Sequence, residues 1–143
     1  MPRTPLRRAP VLLAAAASLG LLGACSLGND RELAEEHFKF AVKGKWAEAC
    51  ALETSGFQGG GGTKSCARQR ASDPGNALSD LSADGMKATE VKPDSSNSVS
   101  AKGSWILVSF NEDDTTKYRA VQVVDDKVND VVVTTKEGWE AED

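Results

Sequence analysis

The first strong pattern lies in residues 29–42, where apolar side chains recur every three to four positions. Asn29 is followed three positions later by Glu32, which is the spacing of a capping box at a helix N-terminus. Gly44 comes just after the last apolar position and is predicted to end the helix. The pattern predicts an amphipathic helix whose buried stripe consists of Leu33, Ala34, His37, Phe38, Ala41 and Val42.

The next part of the chain predicts two shorter helices. The first covers residues 46–52, where Trp46, Ala49 and Cys50 share one face. The second lies near residues 67–70, after a glycine-rich segment. Residues 73–76 read Asp-Pro-Gly-Asn, which is a strong turn signal.

The pattern changes from helical to extended after residue 86. Strands are predicted at residues 87–92, 105–110, 117–124 and 128–135, with the last of them ending the sheet. In the third strand Tyr118 and Ala120 share one face, while Arg119 and Val121 share the other. Helices first and strands afterwards predict an α+β domain, with the N-terminal helices packed on one face of an antiparallel β-meander.

Residues 1–24 have the character of a signal peptide rather than of a folded segment. Arg3, Arg7 and Arg8 supply a positive start, and residues 11–22 are almost entirely apolar. That apolar stretch is shorter than the roughly 20 residues that a membrane-spanning helix needs. We therefore expect residues 1–24 to be a cleaved export signal.

Residues 22–25 read Leu-Gly-Ala-Cys and resemble the lipobox of bacterial lipoproteins. The resemblance implies that Cys25 is lipidated and becomes the new N-terminus, followed by a short tether. The alternative is a secreted protein with a chance cysteine at this position. The expected organisation is a signal peptide (1–24), a lipidated cysteine and tether (25–28) and an α+β domain (29–143).

The cysteine count agrees with this organisation. Three cysteines would leave one unpaired in an oxidising compartment. If Cys25 carries lipid, Cys50 and Cys66 remain as a pair, and we expect them to form a disulfide.

The net charge limits the partners. The whole chain has a formal charge of −4, and removal of residues 1–24 with their three arginines makes it −7. An acidic domain is repelled by nucleic acid and by anionic lipid head groups. We expect no nucleic-acid partner and expect attachment to the cell membrane, on its extracytoplasmic side, through the lipid on Cys25.

The glycine run "GFQGGGGTKSC" at residues 56–66 approaches a phosphate-binding loop. In such a loop lysine directly follows the last glycine, but here Thr63 separates Gly62 from Lys64. The segment also follows a predicted helix, whereas a phosphate loop follows a strand. We interpret it as a mobile loop closed by Cys50 and Cys66, without a phosphate site.

The sequence offers no clear catalytic or metal-binding constellation. His37 is the only histidine and lies on the apolar helix stripe, where packing is the more common role. Asp113 and Asp114 lack the glycine and terminal glutamate of a calcium loop and suit a solvated turn. We predict no catalytic residue, no metal and no cofactor.

One further resemblance covers nearly all of the chain after Cys25. The pattern "HFKFAVKGKWAEACAL" at residues 37–52, a later cysteine and a C-terminal meander ending near Trp139 resemble small bacterial lipoproteins of the nuclear transport factor 2-like, cone-shaped α+β type. That fold implies a cavity between helix and sheet. Its possible lining residues, with ordinary core packing as the alternative, are Phe38, Trp46, Trp105, Phe110 and Tyr118.

Two functional interpretations follow. The first is a non-catalytic binding or interaction domain whose partner is an unknown envelope protein or a small apolar ligand. The second is an enzyme or small-molecule binder that uses the cavity. The missing His/Asp or Cys/His constellation favours the first.

Overall fold

The computed structural model describes residues 29–73 and 81–142, which form three helices and one five-stranded sheet. The signal peptide and Cys25 lie outside the described residues. The helices are α1 (Asn29–Val42), α2 (Trp46–Ala51) and α3 (Gly62–Ser72). The strands are β1 (Lys87–Pro93), β2 (Ser104–Glu112), β3 (Thr115–Val124), β4 (Lys127–Thr134) and β5 (Trp139–Ala141). The predicted α+β class is confirmed. Within the described ranges, no helix is both long and apolar enough to cross a bilayer.

Helix α1 ends as its sequence predicts. Gly44 takes a positive φ of 68°, which costs glycine little because it has no Cβ. The Lys45 N–H then donates to the Phe40 carbonyl at 2.9 Å, and the Gly44 N–H donates to the Ala41 carbonyl at 3.0 Å. These are the two bonds of a Schellman motif, and they turn the chain directly into α2.

Helix α3 is longer than predicted. It begins at Gly62, inside the glycine run, and continues to Ser72. Only the disulfide region of this helix is strongly buried, because Cys66 is its one buried residue. Because the apolar stripe of α3 is weak, the sequence pattern predicted only a small part of this helix.

The sheet has the order β4-β3-β2-β1-β5 and all its pairings are antiparallel. Strands β2, β3 and β4 are joined by two-residue turns at residues 113–114 and 125–126, whose aspartates have φ between 48° and 59°. Aspartate tolerates this left-handed conformation, which two-residue hairpin turns require. The prediction that β4 ends the sheet is wrong, because β5 returns to pair with β1 through Val91 and Ala141.

The helix-facing side of the sheet holds the main core. Phe38 of α1 packs against Phe110 of β2 with ring centroids 4.9 Å apart. The expected burial of Phe38 is confirmed. The buried members of this cluster are Ala34, Phe38, Val42, Leu81, Ile106, Val108, Phe110, Val121, Val123 and Val128.

The opposite side of the sheet has a smaller apolar cluster. Trp105 is buried there, with Trp139 packed on it at a centroid distance of 5.2 Å. The Trp105 indole N–H donates to the Ser100 carbonyl at 2.7 Å. Val132 is partly buried against the same cluster. Trp105 was a possible lining residue of the cavity expected between helix and sheet, but alternation along the strands places it, together with Val132, on the other face.

Candidate functional site

A disulfide joins Cys50 of α2 to Cys66 of α3, as predicted, with Cα atoms 6.1 Å apart. Both cysteines are almost completely buried. The bond holds together two helices that contribute little to the main core. It therefore stabilises helices that supply no buried member of either apolar cluster.

The glycine run has a more definite structure than a simple loop. Residues 55–61 make turns, and Lys64 is exposed in the first turn of α3. The run opens a helix, as a phosphate loop does, but it follows α2 and a turn rather than a strand. The absence of a phosphate site stays a prediction.

A buried carboxylate, Glu53, lies beside the disulfide. Its Oε1 accepts a hydrogen bond from His37 Nε2 at 2.8 Å, and its Oε2 accepts one from Arg70 Nη2 at 3.1 Å. The Glu53 side chain is fully buried. The Cys66 sulfur is 3.4 Å from Oε2, but a disulfide sulfur carries no proton, so this is a contact only.

The backbone around Glu53 is held against the sheet. Glu53 forms an isolated parallel bridge with Val128 of β4. The Val128 N–H donates to the Leu52 carbonyl and the Thr54 N–H donates to the Val128 carbonyl, both at 2.8 Å. Glu53 therefore connects α1, α3 and the edge of the sheet at one point.

The geometry makes the Glu53 cluster structural. Arg70 also lies over the Phe57 ring, 4.7 Å from its centroid, so each partner of Glu53 is held by packing. Sequence reasoning found His37 on the buried stripe but missed Glu53. No local signal marks an acidic residue whose partners come 16 residues before it and 17 residues after it.

Cys50, Glu53 and Cys66 have potential ligand atoms within 4.8 Å of one another. A metal would need thiolates, because the thiolate is the coordinating form of cysteine. Both sulfurs are bonded to each other in the disulfide. In this form the cluster offers a metal only the Glu53 carboxylate, which His37 and Arg70 already engage.

A groove of about 640 Å³ lies on the helix-free face of the sheet. We call it the sheet groove. Its residues alternate along β1, β2 and β3, and neighbours across the strands are directly paired. The lining side chains from the strands and the β4–β5 connection include Lys87, Thr89, Val91, Leu107, Ser109, Asn111, Thr116, Tyr118, Lys136 and Trp139.

The sheet groove is polar at one end and apolar at the other. Val91, Leu107 and Trp139 form the apolar end, where Trp139 packs on the buried Trp105. Four residues back along β1, Lys87 is paired with Ser109. At about 3.3 Å per residue, the two ends are about 13 Å apart.

The five aromatic residues predicted to line a pocket do not gather in one place. Tyr118 lines the sheet groove, and Phe110 borders it although its ring packs on Phe38 in the helix-side core. Phe38 is in the helix-side core, and Trp105 lies beneath Trp139. Trp46 is half-buried and belongs to neither apolar cluster.

No family model matches the chain, and neither a curated protein nor a solved structure does so. The resemblance to cone-shaped lipoproteins implies a cavity between helices and sheet. In the described residues the helix-facing side is occupied by the main core, and the sheet groove lies on the other face.

Proposed function

We propose that the protein is a lipid-anchored, extracytoplasmic binding domain without catalytic activity, and that the sheet groove is its binding surface. The single observation that carries the anchor is the disulfide between Cys50 and Cys66. It uses two of the three cysteines in the chain and leaves Cys25, at the lipobox-like sequence, as the third.

The disulfide also supports export. Disulfides persist in oxidising compartments and are rare in reducing ones. The Cys50–Cys66 disulfide is buried and connects two short helices, which is typical of a structural disulfide. Export agrees with the signal-like residues 1–24.

Binding is favoured over catalysis by the chemistry of the groove. In the described part of the chain no carboxylate, imidazole or thiol lines the groove, and these groups perform most general acid–base and nucleophilic catalysis. Glu53 and His37, which have the right chemistry, lie on the other side of the sheet and do not line the groove. The volume of the groove is within the usual range of small-molecule sites.

The anchor is tested with the Cys25→Ala variant. Cells are fed an alkyne fatty acid, and the label on the protein and its membrane fraction are measured. We expect the natural protein to be labelled and membrane-bound, and Cys25→Ala to lose the label and to be found in the soluble fraction. Ser26→Ala, one position away, is the matched control and should behave as the natural protein. Labelled, membrane-bound Cys25→Ala protein would refute the anchor.

A further inference from the structure

The sheet groove differs in charge from the rest of the domain. The chain is acidic overall, yet among the described residues that line the groove the charged side chains are Lys87 and Lys136. Neither lysine forms an ion pair with a carboxylate of the described residues. Glu137 follows Lys136 in the chain but does not line the groove. The described lining of the groove is therefore positively charged on an acidic protein, although Glu137 interacts with Lys136 and offsets part of its charge.

The polar groups at the Lys87 end suit an anion. Ser109 is paired with Lys87 on one side and with Tyr118 on the other. Asn111 and Thr116, paired with each other, lie one step further along the same face. The Ser109 hydroxyl donates to the Lys87 carbonyl at 3.5 Å and the Thr116 hydroxyl donates to Asn111 Oδ1 at 3.4 Å. Both are long bonds at exposed positions, so these hydroxyls and the Asn111 amide can turn to donate to a carboxylate instead.

The other end suits an apolar body. Val91 and Leu107 are buried and supply an aliphatic floor, while Trp139 supplies a half-buried aromatic surface. A ligand that is apolar throughout would leave the lysine end unmatched, and a simple anion would leave the apolar end in water. A ligand with an apolar body and one charged group would match both ends of the groove, because it buries apolar surface at one end and pairs its charge at the other.

We propose that the sheet groove binds a soluble amphipathic monoanion, namely a carboxylate carried on an aromatic or aliphatic body about as long as the groove. This inference rests on the proposed role of the groove as the binding surface, and it specifies the class of ligand. The carboxylate contacts Lys87, Lys136 supplies a second positive charge in the lining of the groove, and the apolar body lies on Leu107 and Trp139.

The test compares three probes with one body and different charges: 2-naphthoate, 2-naphthamide and 2-naphthylmethylammonium. Their affinities for the full exported protein in phosphatidylcholine nanodiscs are measured by isothermal titration calorimetry, with empty nanodiscs as the blank for partitioning. We expect the order carboxylate, then amide, then ammonium. Lys87→Gln and Lys136→Gln should each weaken 2-naphthoate about 2- to 5-fold, as for exposed ion pairs, and should leave 2-naphthamide unchanged.

Two further variants test whether the charge at Lys87, rather than the loss of any lysine, sets the preference among the probes. Lys87→Glu should reverse the preference toward the ammonium probe. Lys43→Gln removes an exposed lysine outside the groove and should change no affinity. Both substitutions are at exposed positions, so neither should affect folding.

The outcomes separate the ligand class from the binding role. Equal, lysine-independent binding of all three probes would overturn the monoanion and keep the groove as a binding surface. Absence of binding by every probe would overturn both. If phosphatidylglycerol added to the nanodiscs displaced 2-naphthoate, the occupant would be an anionic lipid and the soluble ligand would be wrong.

Discussion

The two faces of the sheet are built from the same strands but differ in what covers them. Strand β2 contributes alternately to both: Ile106, Val108 and Phe110 face the helices, while Trp105 and Leu107 face away. One face is closed by α1 and becomes the main core. Among the described residues, the other face is covered by the loop around Val99 and by the Trp139 side chain, and it keeps a groove. The comparison teaches that the larger apolar cluster, and with it most of the buried core, lies on the helix side, while the groove that we propose as the binding surface lies on the other face.

The comparison is tested most strongly by Phe38→Ala. Loss of a buried phenylalanine should lower the free energy of unfolding by about 3–5 kcal/mol, through lost burial and a residual cavity. Tyr118→Ala, which removes a half-buried ring from the sheet groove, should cost less than half as much. Denaturant unfolding measures both. Equal losses would mean that the two faces share the core evenly.

Removal of the disulfide should cause the next largest loss of unfolding free energy. Replacing Cys50 and Cys66 together by alanine opens a loop spanning 16 positions and should cost about 3 kcal/mol in the chain-entropy model. Because α2 and α3 lie away from the sheet groove, the affinity for 2-naphthoate should not change in protein that remains folded. A parallel loss of affinity would show that the helices support the groove.

Glu53→Gln should cause the third largest loss of stability. The amide keeps the volume but loses the charge that accepts hydrogen bonds from His37 and Arg70, for an expected cost of about 1.5–3 kcal/mol. Glu35→Gln is the matched control, because Glu35 forms an exposed ion pair with Lys39 at 3.7 Å. It should cost less than about 0.5 kcal/mol. Thermal unfolding of the two variants compares a buried with an exposed carboxylate, and similar melting temperatures would show that the Glu53 cluster does not stabilise the domain.

Lys87→Gln should have the smallest effect on stability. The lysine is exposed and has no ion-pair partner among the described residues, so the free energy of unfolding should stay within about 0.5 kcal/mol. The same variant is expected to weaken 2-naphthoate. Equilibrium unfolding measured beside the titration checks this, and a large stability loss would make Lys87 part of the fold rather than of the site.

Sequence periodicity located most of the elements because each carries its own local signal. The stripe of α1, the left-handed Gly44 and the two aspartate turns all depend on neighbours within a few positions. Helix α3 was mostly missed because only Cys66 marks its buried face. Strand β5 was missed because three residues are too few for a periodic pattern, and pairing with β1 alone defines it.

The candidate site was predictable only in part. Tyr118 was identified as a possible lining residue. Phe110 was too, but its ring packs on Phe38 in the main core. Lys87, Lys136, Leu107 and Trp139 were not identified. Exposed lysines are common on any surface, so nothing in their local sequence singles out these two. The groove exists only because strands distant in the chain are paired side by side.

By itself, the sequence determined the α+β class, the pairing of Cys50 with Cys66 and the expectation of an exported, lipidated chain. These follow from local periodicity, from parity of the cysteines and from short motifs. Only the tertiary structure decided which face of each strand is covered, and which side chains meet across it. Periodicity assigns the residues of a strand to two faces but does not show which face the helices cover. The burial of Glu53 between His37 and Arg70 depends on contacts that form only when the helices pack together.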